Sequence, residues 1–465
     1  MAPCRDQGLV AGRNRYADLL RAAAIGGVAV GHWLLISITY RGGQLSGVDD
    51  IGYISWAGWI TLVFQVMPVF FLVGGYVHAI SWTRHRDRGE HWTGWVRGRA
   101  TGLLWPAMVY VTVMVLAVAV ARMAGAHPAE LAQGGWLVAL QLWFLPVYLL
   151  LIALTPVMLA AHRRWGLAVP AVMAAGAAAV DLAVVGFHVP VIGYVNYLLV
   201  WGSMYQWGFC WQDGTLTRPR WRPYALAAAG AAALAGLVAW SPFPVDMIGA
   251  PGERVGNTSP PSIALLAYAA AQAGLVLAAA PAVSRLLARP RWWRPVSRLT
   301  PAIMLVYLWH MVPVVIVAVA FYPARILPQP PIGSAQWWEL RPAWEALLAV
   351  VLIPLIAGLQ WVHRPLLRAL PTGFGQARPW SPAVLLAGLA AVGFGLAKLA
   401  VAGFAPDGRL PLLVLGACAC GLLLTLLSGP SAGERGPQKP GTTPLQAAPG
   451  PHSTPTAVPA AEDHR

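Results

Sequence analysis

The chain has 465 residues, of which 58% are hydrophobic and only 11% are charged, and its mean hydropathy is +0.60. Soluble domains carry far more charge, so this composition excludes a soluble globular protein and indicates a polytopic membrane protein. The formal net charge of +15 is spread over alternate loops rather than gathered in one patch. We therefore expect membrane lipids, and no nucleic acid, among the partners.

Twelve apolar segments are long enough to cross a bilayer, which predicts an all-α fold with about twelve transmembrane helices. With the N-terminus in the cytoplasm, 25 Lys and Arg residues lie on the inner side and 6 on the outer side. This asymmetry predicts a multi-pass protein of the plasma membrane with both termini inside. The segments lie near residues 19–40, 54–81, 102–121, 136–160, 166–187, 191–211, 224–240, 262–284, 300–321, 343–363, 381–402 and 410–428.

The first apolar segment, Asn14 to Tyr40, carries Arg21 at its entrance and His32 eleven positions later. On a helix this separation is about 16 Å, which places Arg21 at the inner membrane surface and His32 near the middle of the hydrocarbon core. An ionisable group at that depth is costly unless it faces a cavity or a partner, so His32 is a candidate site residue. Arg21 also fits a simple positive anchor, and His32 a hydrogen-bonded core histidine.

A second histidine, His310 in the sequence VYLWHMVP, falls in the middle of the ninth predicted helix. Two imidazoles at comparable depth can share one cavity. Such a histidine suits general-base catalysis, because histidine titrates near neutral pH and can take a hydroxyl proton as the nucleophile attacks. His310 is equally consistent with a core histidine bonded to a neighbouring helix.

The inner loop after the second predicted helix, residues 83–100, combines five arginines with tryptophans. Guanidinium groups bind phosphates in a bidentate manner and stack on rings, so this loop suits an anionic, ring-bearing ligand such as a nucleotide. The same composition is also expected of a positive-inside signal beside an interfacial tryptophan belt. No metal-ligand cluster is visible in the sequence, so we expect no metal cofactor. The candidate ligand-binding arginines are Arg84, Arg86, Arg97 and Arg99.

Five stretches resemble, in order, the motifs of the acyltransferase-3 family of integral-membrane O-acyltransferases. The first contains that family's D-x-x-R followed by ten residues and a histidine. The matches run from about Arg15 to Arg368, and the last two predicted helices lie outside the family's usual ten-helix unit. The stretches are DLLRAAAIGGVAVGHW (18–33), MPVFFLVGGYVHA (67–79), QLWFLPVYLLL (141–151), VYLWHMVP (306–313) and HRPLLR (363–368).

Three positions depart from the family's pattern. Gly74 stands where the family usually has serine, and His363 stands where it usually has glutamate. In VRGRATGLLWP, residues 96–106, the usual arginine pair is reduced to Arg99, with Gly102 opposite.

The resemblance implies an enzyme that moves an acyl group, commonly acetyl, from a cytoplasmic acyl-coenzyme A to a hydroxyl of a glycan, cell-envelope polymer or small metabolite. It implies catalytic roles for His32, Arg21 and His310, with His32 as general base or acyl acceptor, and a donor site at the inner arginines. It also implies a ten-helix acyltransferase domain at 1–370 and two additional transmembrane helices at 371–428. Composition predicts a disordered cytoplasmic tail at 429–465, because this stretch is rich in Pro, Gly, Ser and Thr.

The alternative class is a proton-coupled transporter or flippase, in which buried histidine and aspartate residues form a proton relay between two halves. No similarity is visible between residues 1–220 and 221–428, and the buried polar residues concentrate in the first and ninth predicted helices. Both features favour the acyltransferase.

Overall fold

A computed structural model describes residues 14–54, 56–249, 255–369 and 381–429, except for the side chains of residues 48, 49, 51 and 363–369. The predicted tail from residue 430 onward lies outside these described residues. So do residues 371–380, which open the predicted second part of the chain, and the side chain of His363.

Helices dominate the described residues, and one β-hairpin interrupts them. Its strands are β1 (Ile36–Arg41) and β2 (Gln44–Asp49). The α-helices are α1 (Arg15–Leu35), α2 (Ala57–Phe64), α3 (Met67–Asp87), α4 (Trp92–Met123), α5 (Pro128–Leu137), α6 (Phe144–Trp165), α7 (Ala168–Asp181), α8 (Asn196–Gln212), α9 (Arg222–Trp240), α10 (Ile263–Leu287), α11 (Pro290–Leu299), α12 (Ile303–Trp309), α13 (Val312–Phe321), α14 (Ala335–Ala369), α15 (Ser381–Ala402) and α16 (Leu412–Leu427).

Within the described residues, nine helical segments are long and apolar enough to cross a membrane, or ten if the bent unit from α11 to α13 forms one span. Each of the twelve predicted segments overlaps helical residues, although 54–81 contains both α2 and α3, and 300–321 contains both α12 and α13. However, α8 and α16, with 17 and 16 residues, are too short for that criterion. The structure therefore confirms an all-α polytopic membrane protein, while the number of crossings and the sidedness stay predictions.

The first predicted helix ends earlier than expected, at Leu35 rather than near Tyr40. The segment ISITYR that follows alternates β-branched and polar residues, which suits a strand better than a helix. Gly42 and Gly43 close the hairpin with positive φ angles of 59° and 85°, as a tight two-residue turn requires. The hairpin packs on α5, where Gln133 Nε2 donates to the carbonyl oxygen of Gly47 at 2.6 Å.

The ninth predicted helix is broken between α12 and α13, which meet at an angle of 55°. Pro313 is the second residue of α13, and its ring and missing N–H prevent a continuous helix through this point. His310 and Met311 lie in the break. The break frees the carbonyl group of His310 from the helix ladder, and the Trp33 indole Nε1 of α1 donates to its oxygen at 2.7 Å.

Glycine allows α3 and α8 to meet backbone to backbone. A Cβ atom on Gly75 would overlap the carbonyl oxygen of Tyr205, and a Cβ atom on Gly208 would overlap the carbonyl oxygen of Leu72. Small residues often let transmembrane helices approach in this way. The contact fixes α8 against the middle of α3.

The last two helices, α15 and α16, pack against the rest of the bundle. The backbone N–H of Phe404, just after α15, donates to the Gly135 carbonyl oxygen of α5 at 3.2 Å. The fully buried Phe404 ring also meets the Tyr110 ring of α4 edge-on, with centroids 6.2 Å apart. These helices therefore share one hydrophobic core with α4 and α6.

Candidate active site

The structure brings the two predicted histidines together. His32 Nδ1 lies 2.8 Å from His310 Nε2, and the two rings are nearly parallel at 22°. His310 is fully buried, whereas His32 is only partly buried. His310 is therefore the more deeply buried member of the pair.

Hydrogen bonding assigns the protons of this pair. His310 Nδ1 lies 2.8 Å from the carbonyl oxygen of Tyr307, one turn back. A carbonyl oxygen can only accept, so in a neutral ring the His310 proton is on Nδ1 and its Nε2 is an acceptor. His32 must then donate through Nδ1. This leaves the lone pair of His32 on Nε2, the nitrogen turned away from His310.

Two residues fix the helix break that holds His310. Gln141 Nε2 donates to the carbonyl oxygen of Leu308 at 2.9 Å. The Tyr307 hydroxyl donates in return to the carbonyl oxygen of Gln141. All three residues are buried. Gln141 therefore binds the segment that carries His310 through both its side chain and its backbone.

A buried ion pair anchors the C-terminal end of α1, just beyond His32. Arg341 Nη2 lies 2.8 Å from Asp50 Oδ2, and the exposed fractions of the two side chains are 8% and 0%. Arg341 Nη1 also donates to the carbonyl oxygens of Trp33 and Ile36, both at 3.4 Å, which have no partner inside the helix. The sequence count placed Arg341 in an outer loop. The structure corrects this, because α14 begins at Ala335 and includes it.

An aromatic file connects Arg21 to the histidine pair. The Arg21 guanidinium lies over the Phe70 ring, 5.8 Å from its centroid. Ring centroids then follow at 5.0 Å from Phe70 to Phe144, 5.3 Å from Phe144 to Tyr307, and 6.4 Å from Tyr307 to His310. An apolar wall therefore follows α1 from its inner arginine to its deep histidine.

The second cation beside this wall is Arg99 of α4. Its guanidinium donates to the Ser81 hydroxyl and lies over the Trp95 ring at 6.0 Å. Ring contacts link Arg99 to Arg21: the centroids follow at 5.5 Å from Trp95 to His78, 5.5 Å from His78 to Tyr148, and 5.7 Å from Tyr148 to Phe70, the ring below Arg21. The structure therefore brings together two predicted arginines that are distant in the sequence.

The other predicted arginines lie at the same end of the molecule. Arg97 is partly buried, two residues before Arg99. Arg84 and Arg86 are exposed on the last turn of α3, where Arg86 pairs with Asp87 at 3.6 Å. We call Arg84, Arg86 and Arg97 the basic rim, and the path from this rim along the aromatic residues to His32 the route.

One departure from the family's pattern has a structural reason. A Cβ atom on Gly74 would lie 2.7 Å from the Tyr148 hydroxyl oxygen. Tyr148 thus fills the space that a serine side chain would need. Gly74 is required by the neighbouring tyrosine.

A different polar group lies apart from the histidines at the predicted outer ends of the helices. Asp181 accepts from Asn196 Nδ2 at 2.7 Å and from the backbone N–H of Ile263 at 2.6 Å. It lines a cavity of about 540 Å³ that does not include His32 or His310. The first role of Asp181 is thus to join α7, α8 and the start of α10.

At the inner end, His162 of α6 is bonded to Asp213. His162 Nε2 lies 2.8 Å from Asp213 Oδ2. Partial burial alone would raise the pKa of Asp213, but hydrogen bonds from Thr215 and His162 outweigh it and hold the pKa below its usual value. This pair joins α6 to the end of α8.

Sequence reasoning missed His78, Gln141 and the Arg341–Asp50 pair as parts of this region. His78 carried a usable signal, because it is an ionisable residue inside an apolar segment. The others depend on contacts between distant parts of the chain.

Comparison with known proteins gives one match. The family model Acyl_transf_3, described as an acyltransferase domain, matches residues 14–361. This is well over half of the chain and contains every residue of the site described above, while α15 and α16 follow it. No curated protein and no solved structure matches the chain. In the described residues, no group of three or more His, Cys, Asp or Glu side chains could hold a metal ion.

Proposed function

The chain belongs to the acyltransferase-3 family and is an acyltransferase enzyme, and on this premise we propose the reaction it performs. It transfers an acyl group, acetyl in the first instance, from a cytoplasmic acyl-coenzyme A to a hydroxyl of a glycan, cell-envelope polymer or small metabolite. The reaction takes place within the plasma membrane, at His32.

The hydrogen-bond order from Tyr307 through His310 to His32 carries this proposal. It leaves the His32 lone pair on Nε2, on the side away from His310, where the acceptor hydroxyl would bind. His310 plays the part that a carboxylate plays in a Ser-His-Asp triad, since it fixes both the tautomer and the orientation of the base.

The transfer follows from this arrangement. His32 Nε2 takes the proton of the acceptor hydroxyl as its oxygen attacks the thioester carbonyl carbon. When the C–S bond breaks, the same Nε2–H returns its proton to the leaving thiolate, so the products are an ester and a free thiol. His310 stabilises the imidazolium in between, because its Nε2 accepts the hydrogen bond from His32 Nδ1. The same lone pair would serve if His32 first took the acyl group itself.

The donor would bind along the aromatic file. Arg99 would hold its pyrophosphate, and the rim of Arg84, Arg86 and Arg97 its remaining phosphate and adenine. The extended arm would run along the apolar wall between Arg21 and His32, which are about 16 Å apart along α1. Arg21 would contact this arm where it enters the apolar section.

Thioester turnover tests the proposal. Purified protein in lipid is supplied with labelled acetyl-coenzyme A, with and without a crude cell-envelope or metabolite extract as acceptor, and free thiol is followed. We expect His32→Ala to lower the rate about a hundredfold or more. The matched control is His127→Ala, an exposed histidine at the start of α5, which should keep the wild-type rate.

The outcomes separate the possibilities. Label retained on the wild-type protein would favour an acyl-histidine intermediate over direct transfer. Wild-type protein that consumes no thioester under any of these conditions would refute the proposed donor.

A further inference from the structure

A second buried polar network lies beside the donor route and takes no part in the mechanism above. His78 Nδ1 lies 2.6 Å from the Tyr205 hydroxyl oxygen, and that hydroxyl lies 2.7 Å from the hydroxyl of Thr155. All three side chains are buried. The network joins α3, α6 and α8 at the level of Arg99.

The direction of these hydrogen bonds is fixed by a backbone group. The Thr155 hydroxyl donates its single proton to the carbonyl oxygen of Leu151 at 2.7 Å. It must therefore accept from the Tyr205 hydroxyl, which leaves the Tyr205 oxygen as the acceptor for His78 Nδ1–H. A neutral imidazole bonded in this way has its lone pair on Nε2. The hydrogen bonds of this network use only one of the two ring nitrogens of His78, namely Nδ1.

The surroundings of His78 place it on the donor route. Its ring centroid lies 5.5 Å from those of Tyr148 and Trp95. The Trp95 ring lies below the Arg99 guanidinium, and the Tyr148 ring contacts Phe70, which lies below the Arg21 guanidinium. Along α3, His78 is about 12 Å inward from Phe70, the ring below Arg21. His78 therefore lies between the proposed pyrophosphate position and the apolar section of the route.

We propose that His78 binds the pantetheine arm of the donor, with Nε2 accepting a hydrogen bond from an amide N–H or the hydroxyl near the pyrophosphate end of that arm. This inference rests on the proposed function. The arm carries donors as well as acceptors, whereas Arg21 and Arg99 can only donate. A buried N–H without a partner is costly, so the route needs an acceptor at this depth.

Binding of two ligands tests this role without knowledge of the acyl acceptor. The probes are coenzyme A and adenosine 3′,5′-bisphosphate, which keeps the nucleotide phosphates but lacks the arm. For His78→Leu we expect the Kd of coenzyme A to rise about tenfold while that of the bisphosphate changes less than twofold. A general loss of structure would weaken both ligands together.

Further variants keep the test decisive. Tyr205→Phe removes the oxygen that fixes the tautomer and should weaken coenzyme A in the same selective way, so it replaces His78→Leu if that protein does not fold. His162→Leu changes another buried histidine, the one bonded to Asp213, and should leave the ratio of the two Kd values unchanged. Equal weakening of both ligands by His78→Leu, or no change in either, would overturn the role of His78. Wild-type protein that binds neither ligand would overturn the proposed donor as well.

Discussion

Replacement of His310 by leucine removes the acceptor for His32 Nδ1–H and changes the side-chain volume little. His310 makes no contact with the substrate in the proposed mechanism, so its effect must come through His32. Two hydrogen bonds are lost, from His310 Nδ1 to the Tyr307 carbonyl oxygen and from His32 Nδ1 to His310 Nε2. Only the second, at 2.8 Å, joins a ring that becomes positively charged during the reaction. Such charge-assisted bonds contribute about 1.5–3 kcal/mol.

The bond strengthens as the charge on His32 develops, so its loss should lower kcat about 10- to 150-fold. The KM for acetyl-coenzyme A should stay within about twofold, because ground-state binding does not depend on the bond. His310→Gln can still accept through its amide oxygen and should recover most of the rate. Both variants are assayed by thiol release in lipid after thermal unfolding has shown that they fold.

A smaller effect is expected from Trp33→Phe, which removes the indole donor to the His310 carbonyl oxygen. This neutral bond should contribute about 0.5–1.5 kcal/mol, or about two- to tenfold in kcat. The reasoning is refuted if His310→Leu matches the wild-type kcat, or if it raises KM and leaves kcat unchanged.

Three further predictions concern stability. Arg341→Leu leaves Asp50 buried without this cation and should lower the free energy of unfolding by about 3–5 kcal/mol. The double variant Arg341→Leu with Asp50→Leu should lose less stability, because no buried charge remains at this site, and thermal unfolding compares the two proteins. Gly75→Ala forces α3 away from α8 and should lower the melting temperature strongly. Gly98→Ala is the control, because a Cβ atom there would meet nothing within 4 Å, and it should leave the melting temperature unchanged. Equal melting temperatures of the two variants would contradict the close contact. The lowered pKa of Asp213 adds stability above its unfolded value of 3.8 that is lost as the pH falls through the folded value. The difference in stability between wild type and Asp213→Asn should therefore be full at pH 6 and shrink as the pH falls below 3.8, which denaturation at several pH values would show.

The helices could be predicted from the sequence because apolar runs are a local property, and each predicted segment overlaps one or two helices. The hairpin after α1 was missed since Ile36 to Tyr40 continues the apolar run, although its alternation and the Gly42–Gly43 pair signalled a turn. The length of the apolar run favoured a helix, whereas the alternating residues and the two glycines favour the strand and turn that the structure shows.

The site could be predicted in part, because some of its residues also have a local signal in the sequence. His32 and His310 stood out because ionisable residues are rare inside apolar segments, and their similar depth suggested a shared cavity. Their contact joins residues 278 positions apart, and no local pattern shows which nitrogen faces which. The Arg341–Asp50 pair joins residues 291 positions apart, so no local pattern in the sequence shows it.

The central claim is that His310 holds His32 with its lone pair on Nε2, ready to take a hydroxyl proton. Nitrogen NMR of protein labelled with ¹⁵N-histidine measures this directly, with the His32 signals identified by their loss in His32→Ala. We predict a proton-bearing Nδ1 and a bare Nε2 on His32 in wild type, and a mixture of tautomers in His310→Leu. A wild-type His32 that carries its proton on Nε2 would contradict the account, because that nitrogen could then not act as the base.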